Sequence, residues 1–113
     1  MPRRKLGDLP EENLKARHAT LSSVVMSLYV EASKISARKP ELVASDLMVT
    51  STNDAIIGVK ELVAADGDEF AARITEFLPA GDPPEIRDVV LVLAALDAAL
   101  KRMNQRHEFW LFG

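Results

Sequence analysis

The side chains that most often carry catalysis or bind metals are few in this sequence and are arranged for neither. Lys15 and Asn104 occupy the positions three residues before the two histidines, His18 and His107. The Glu-x-x-His spacing of helical di-iron sites is therefore absent, as is any His-Glu-x-x-His pattern. There is no cysteine, and the 5 glycines are scattered, which argues against thiol chemistry and a glycine-rich phosphate loop. We therefore expect a protein that is not an enzyme and that holds no metal or cofactor.

Two titratable residues lie on or beside apolar helix faces, where an unpaired charge is costly. His18 falls at the edge of the first apolar stripe, with no nucleophile near it in the sequence. We expect a partly buried histidine bonded to a backbone carbonyl or a carboxylate, rather than a catalytic base. Asp97 interrupts the last apolar run, and Lys101 follows it at the spacing of a helical ion pair.

The end of the chain, residues 108–113, is an apolar aromatic tail. Large apolar side chains left in water forgo about 1.5–3 kcal/mol each, so this tail should be covered. It either folds back to close its own core or docks on another chain, and the sequence leaves both readings open. Because Trp and Phe commonly anchor interfaces, the candidate partner-binding residues here are Phe109, Trp110, Leu111 and Phe112.

Composition indicates one globular domain over residues 1–113, with 48% apolar and 27% charged residues. Residues 1–40 carry 8 Lys/Arg against 4 Asp/Glu, whereas residues 41–113 carry 6 against 13. Residues 1–8 form a basic arm in which Arg3, Arg4 and Lys5 are candidate nucleic-acid contacts. The longest apolar run is shorter than the roughly 20 residues of a membrane span, so we expect a cytoplasmic protein without membrane contacts.

Helix signals divide the chain into four segments. Proline followed by acidic residues marks helix starts, and apolar residues spaced by sevens favour helices packed nearly parallel to one another. The second segment contains Thr50 to Asn53, which are poor helix formers, so it is either one bent helix or two short helices broken near Ser51. The predicted segments are Pro10 to Arg38, Glu41 to Ala65, Glu69 to Leu78 and Pro84 to His107.

The last helix is apolar on every side between Val89 and Leu96. A helix that is apolar on every side is buried on every side. Packing against one face of a small bundle would leave part of this helix exposed to water. We therefore expect a homodimer with this helix near the interface and with Val89, Leu93 and Leu96 among the partner contacts.

Residues 43–62 resemble the helix-turn-helix motif of DNA-binding regulators. Val43-Ala44-Ser45-Asp46-Leu47-Met48-Val49 would form the first helix, and Thr50 to Ile57 would form the turn and the start of the second. The resemblance implies a transcriptional regulator that reads duplex DNA, with the basic arm on the phosphate backbone.

The sequence thus predicts an all-α bundle of about four helices, with long first and last helices and antiparallel packing. The expected function is that of a small protein-binding regulator, inhibitor or adaptor. Its partners would be a second copy of the chain or another protein, and DNA binding is the alternative.

Overall fold

Three α-helices and one short 3₁₀ turn build the part of the chain that the structure describes. The computed structural model describes residues 11–64, 66–77 and 82–109. The helices are α1 (Glu11–Arg38), α2 (Asp46–Ala64) and α3 (Ile86–His107), with the 3₁₀ turn at Ala71–Arg73. The all-helical class is confirmed, whereas the prediction of four helices is wrong.

The buried face of α1 follows its apolar residues at seven-residue spacing. Val25 and Ala32 on this face have no exposed surface. The residues spaced by sevens pack on or against the core: Leu14, Leu21, Leu28 and Ile35. The helix ends at Arg38, and Pro40 lies just beyond it. The ring of a proline prevents a continuing helix, so this boundary follows from local sequence.

α2 is a single helix, so the predicted alternative of a break near Ser51 is wrong. Thr52 is fully buried, and the Asn53 side chain bonds to the backbone of Phe77. Tertiary contacts therefore hold these poor helix formers in the helix. The helix-turn-helix prediction for residues 43–62 is wrong for the same reason, because Asp46–Ala64 continues through the expected turn.

The predicted helix from Glu69 to Leu78 is instead a turn followed by extended chain over residues 69–77, the part of it that the structure describes. Asp68 accepts a 3.1 Å hydrogen bond from the Ala71 N–H, and only three residues continue as a 3₁₀ helix. At Ile74 the backbone is extended, with ψ at 125°. The Asn53 amide then donates to the Phe77 carbonyl at 2.9 Å and accepts from the Phe77 N–H at 2.8 Å, as a neighbouring strand would.

The direction of the helices departs from simple antiparallel packing. α1 is antiparallel to α3, because His18 near its start bonds to Leu100 near the end of α3. α2 begins beside the residues that precede α3 and ends beside the last turns of α3, so these two helices run parallel. The segment between them allows this arrangement by returning along α2 before α3 starts.

One core lies where the three helices meet. α1 and α3 share the most extensive contact, and α2 packs on both. The core side chains with no exposed surface come from every helix: Val25, Ala32, Ile56, Val59, Leu62, Val63, Val89, Leu93, Leu96 and Ala99.

Candidate functional site

The three α3 residues expected at a partner interface are in the core of the single chain. Val89, Leu93 and Leu96 each have 0% exposed surface. Such side chains offer no area to a second chain while this fold persists, so the structure assigns them to the chain's own core. The large apolar residue of α3 that faces outward is Leu91, which is 69% exposed.

The chain turns back directly after α3. Glu108 is left-handed (φ 52°, ψ 43°), and its N–H donates to the Asn104 carbonyl. The ring of Phe109 then stacks on that of His107 at a centroid distance of 4.9 Å and lies 5.4 Å from that of His18. Phe109 is 7% exposed and belongs to the core. The other predicted contacts, Trp110, Leu111, Phe112, Arg3, Arg4 and Lys5, lie outside the described residues.

His18 is a buried structural histidine, as predicted. Its Nε2 lies 2.6 Å from the carbonyl oxygen of Leu100. Since a carbonyl only accepts, Nε2 carries a proton and donates it. The Ser22 hydroxyl lies 3.4 Å from Nδ1, on the other side of the ring. The bond to Leu100 joins α1 to α3.

Two aspartates after α2 bind the last turns of α3. Asp68 accepts from the Arg102 guanidinium at 2.9 and 3.1 Å, and these bonds hold the pKa of its carboxyl below the usual value. Asp66 contacts His107 at 2.6 Å and Arg106 at 2.5 Å. Burial raises the pKa of Asp66, but the hydrogen bonds from His107 and Arg106 outweigh it and leave the pKa lowered. This network fixes one end of the bundle.

The predicted helical ion pair on α3 is also present. Lys101 Nζ lies 2.8 Å from Asp97 Oδ2, and this carboxylate raises the pKa of the lysine. Asp97 thus lies at the margin of the buried face of α3 and is paired with Lys101.

A group of exposed apolar side chains lies at the opposite end of the bundle. Leu42, Val43 and Leu47 are 46%, 53% and 77% exposed. We call these three residues the connector patch, because they lie in or next to the connection between α1 and α2. Three large exposed apolar side chains between residues 42 and 47 make this segment a candidate interaction site.

The backbone of the connector patch is held on both sides. Ala44 N–H donates to the Pro84 carbonyl at 2.9 Å, and Ile86 N–H donates to the Leu42 carbonyl at 2.7 Å. These bonds flank an isolated antiparallel bridge between Val43 and Glu85. Leu47 lies on the first turn of α2, where the Ser45 hydroxyl accepts from the Met48 N–H at 3.1 Å. The patch is therefore presented on fixed backbone.

A shallow basic groove of about 330 Å³ adjoins the patch at Leu42. Its lining residues are Glu31, Lys34, Ile35, Arg38, Lys39 and Leu42. The three cations form none of the ion pairs found among the described residues, whereas four cations of α3 are paired with carboxylates. With three cations and one carboxylate, Glu31, the groove therefore offers net positive charge beside apolar surface.

Two other grooves are less suited to a partner. One of about 520 Å³ lies at the end of α2, where Lys60 is accompanied by Glu61, Asp68 and Glu69. Another, of about 350 Å³, lies where Gly58 lets α2 approach Leu21 of α1. Neither groove includes any of the large apolar side chains that are about half or more exposed.

Sequence reasoning missed the connector patch. Leu42, Val43 and Leu47 belong to a segment whose apolar ends were interpreted as helix interior. The available signal was the order Pro40-Glu41-Leu42-Val43-Ala44-Ser45, in which a proline and a capping serine enclose a short extended stretch. That order indicates a connection between two helices. It does not reveal the bridge between Val43 and Glu85 that holds the backbone of the patch, because Glu85 is remote in sequence.

No helix among residues 11–64, 66–77 and 82–109 is both long and apolar enough to cross a membrane. Within the same ranges, no three His, Asp or Glu side chains group in a way that could hold a metal ion. No family model, curated protein or solved structure matches this chain.

Proposed function

We propose that this chain is a small cytoplasmic protein-binding module, a regulator, inhibitor or adaptor that works as a homodimer. The observation that carries the proposal is the connector patch, in which Leu42, Val43 and Leu47 stay exposed on fixed backbone. Fully burying one such side chain contributes about 1.5–3 kcal/mol, and each is already about half covered except Leu47. A partner that covers all three would therefore gain a few kcal/mol.

The ordered backbone of the connector patch also favours binding. A docking segment that is already ordered loses little conformational entropy when its partner arrives. The Val43 to Glu85 bridge and the Ser45 cap supply that order before binding. The net positive charge of the basic groove supplies long-range attraction for an acidic group on the partner.

The proposal is tested by comparing two surface variants as bait. The tagged protein, a Leu42→Ser/Leu47→Ser double variant and a Leu91→Ser control are each used to capture proteins from an extract of the source cells. Leu91 is a matched control because it is 69% exposed but lies on α3, outside the patch. We expect the same captured protein, or a second copy of the chain, with the wild type and the Leu91 variant but not with the patch variant. Equal capture by all three, or no capture and no self-association, would contradict the proposal.

DNA binding is the competing outcome of this experiment. The purified chain is also passed over immobilised duplex DNA at rising salt, because binding through phosphate contacts weakens steeply with salt. Tight, salt-dependent retention would support the basic arm at Arg3, Arg4 and Lys5 as the functional segment instead.

A further inference from the structure

Val43 has a backbone edge that no described residue of its own chain uses. The bridge to Glu85 is bounded by the bonds of Ala44 N–H to Pro84 and of Ile86 N–H to Leu42. In this pattern the central residue is a non-hydrogen-bonded pair, so its own N–H and carbonyl point to the other side. Among the described residues, no backbone hydrogen bond involves the Val43 N–H or carbonyl. Val43 is also 53% exposed, so the described part of the chain leaves room for a second chain to approach it.

We infer that this edge pairs with the same edge of a second copy, an inference that rests on the proposed function. Two antiparallel Val43 residues related by a twofold axis would each donate an N–H to the other's carbonyl. Such a contact is self-complementary, as an isologous dimer interface requires. It extends the two intrachain bridges into one short sheet and brings the two connector patches together.

The charges on the two sides of the edge suit an antiparallel contact. Lys39 to Leu42 form a turn, in which the Leu42 N–H donates to the Lys39 carbonyl at 3.1 Å, and α2 begins at Asp46, so Lys39 and Asp46 flank the short extended stretch. Both are exposed, and neither takes part in an ion pair found in the described part of the chain. In an antiparallel contact the Lys39 side of one copy faces the Asp46 side of the other, and the twofold axis repeats this approach. A parallel contact would place like charges on the same side.

The first and last described residues lie at the far end of the bundle, where Phe109 packs against His18 of α1. A dimer through Val43 therefore leaves Glu11 and Phe109 away from the interface. Because the edge is one residue long, we expect a weak dimer that forms in the micromolar range or above.

Hydrogen exchange at three amides tests the inference. The Ala44 and Ile86 N–H groups are bonded within the chain and should be protected at every protein concentration. The Val43 N–H should exchange rapidly in dilute protein and become at least about tenfold slower as the dimer fills. Val43 exchange that stays rapid in a sample shown to be dimeric would overturn the inference and leave the proposed homodimer standing. A chain that remains monomeric at millimolar concentration would overturn both.

A charge exchange provides the second measurement. Lys39→Glu or Asp46→Lys alone places like charges beside each other, so each should weaken dimerisation about three- to tenfold. The double variant restores opposite charges and should return the dissociation constant to near the wild-type value. Far-ultraviolet circular dichroism checks that each variant is folded. Losses that simply add in the double variant would contradict the proposed register.

Discussion

At the scale of single residues, Asp68 joins three parts of the chain through one carboxylate. It accepts from the Ala71 N–H of the 3₁₀ turn and from two nitrogens of Arg102 on α3. Its side chain is 2% exposed. The Arg102 guanidinium also lies 5.7 Å from the centre of the Phe70 ring, so the ion pair continues into a cation–π contact.

The stability of the protein should fall in acid because of this carboxylate. The pKa of Asp68 in the folded chain is lowered from the usual 3.8 by the Arg102 hydrogen bonds. Its contribution to the free energy of unfolding is therefore complete above that value and is lost as the pH falls through the folded pKa. Asp68→Asn should cost about 1–3 kcal/mol at neutral pH and flatten the acid dependence. Urea unfolding from pH 6 to pH 3 measures both effects. An unchanged acid slope in the variant would contradict this role.

Substitutions at two positions with positive φ should change the free energy of unfolding in opposite directions. Gly67 (φ 78°) has open space around it, so Gly67→Ala should lose about 1–2 kcal/mol from backbone strain alone. Glu108 (φ 52°) already carries that strain, so Glu108→Gly should gain roughly 0.5–1 kcal/mol. Thermal unfolding of the two variants measures the difference. The same sign at both positions would show that side-chain contacts outweigh the backbone term.

The sequence predicted the ion pair between residues that are close together on one helix. It did not predict the ion pairs between residues that are far apart in the chain. The Asp97 to Lys101 bond joins residues four apart on one helix, which sequence alone indicates. Arg102 and Asp68 are 34 residues apart, and Asp66 and His107 are 41 apart. Their contacts depend on α2 and α3 ending side by side, which no local pattern encodes.

At the scale of the elements, α2 shows tertiary packing overriding local preference. Thr50 to Asn53 favour caps and turns, yet they lie inside a continuous helix. Thr52 is fully buried, and the Asn53 side-chain amide donates a hydrogen bond to the carbonyl of Phe77, 24 residues away. The two predicted alternatives for this segment could not be separated because the deciding partner is remote in sequence.

Removing the Asn53 amide should release the extended segment. Asn53→Ala loses two hydrogen bonds to Phe77 and should lower the free energy of unfolding by about 1–3 kcal/mol. Asn53→Asp keeps the acceptor and should lose only part of this. Asp54→Ala, at the exposed neighbouring position, should change stability by less than about 0.5 kcal/mol. Faster hydrogen exchange at Phe77 in the first variant checks the cause. A loss equal to that of Asp54→Ala would contradict it.

At the scale of the whole molecule, the two ends of the bundle differ in structure. One end is closed by Phe109, His18 and the acid–base network, and the other presents the connector patch. The sequence predicted the helical class and the ends of α1 and α3 to within two residues. It could not predict the parallel arrangement of α2 and α3, because the segment after α2 contains too few periodic residues to reveal its path. The connector patch was missed for a different reason, because its residues were interpreted as the interior of the helix predicted from Glu41.

Phe109 provides the test of the closed end. Phe109→Ala should cost about 3–5 kcal/mol, because the ring is 7% exposed between two histidine rings. Phe70 is the matched control, since it is aromatic but 68% exposed, and Phe70→Ala should cost no more than about 1 kcal/mol. Chemical unfolding measures both variants. Similar losses at the two positions would show that Phe109 does not close the core.

We propose that the chain associates through the connector patch and not through the outer face of α3. Light scattering after size exclusion, over a series of concentrations, compares the wild type with Leu47→Lys and Leu91→Lys. These residues are matched in type and exposure, at 77% and 69%. We predict that the wild type and the Leu91 variant rise together from 12.4 kDa towards twice that mass, whereas the Leu47 variant stays at 12.4 kDa. A wild type that never leaves 12.4 kDa, or a Leu91 variant that alone fails to associate, would rule out association through the connector patch.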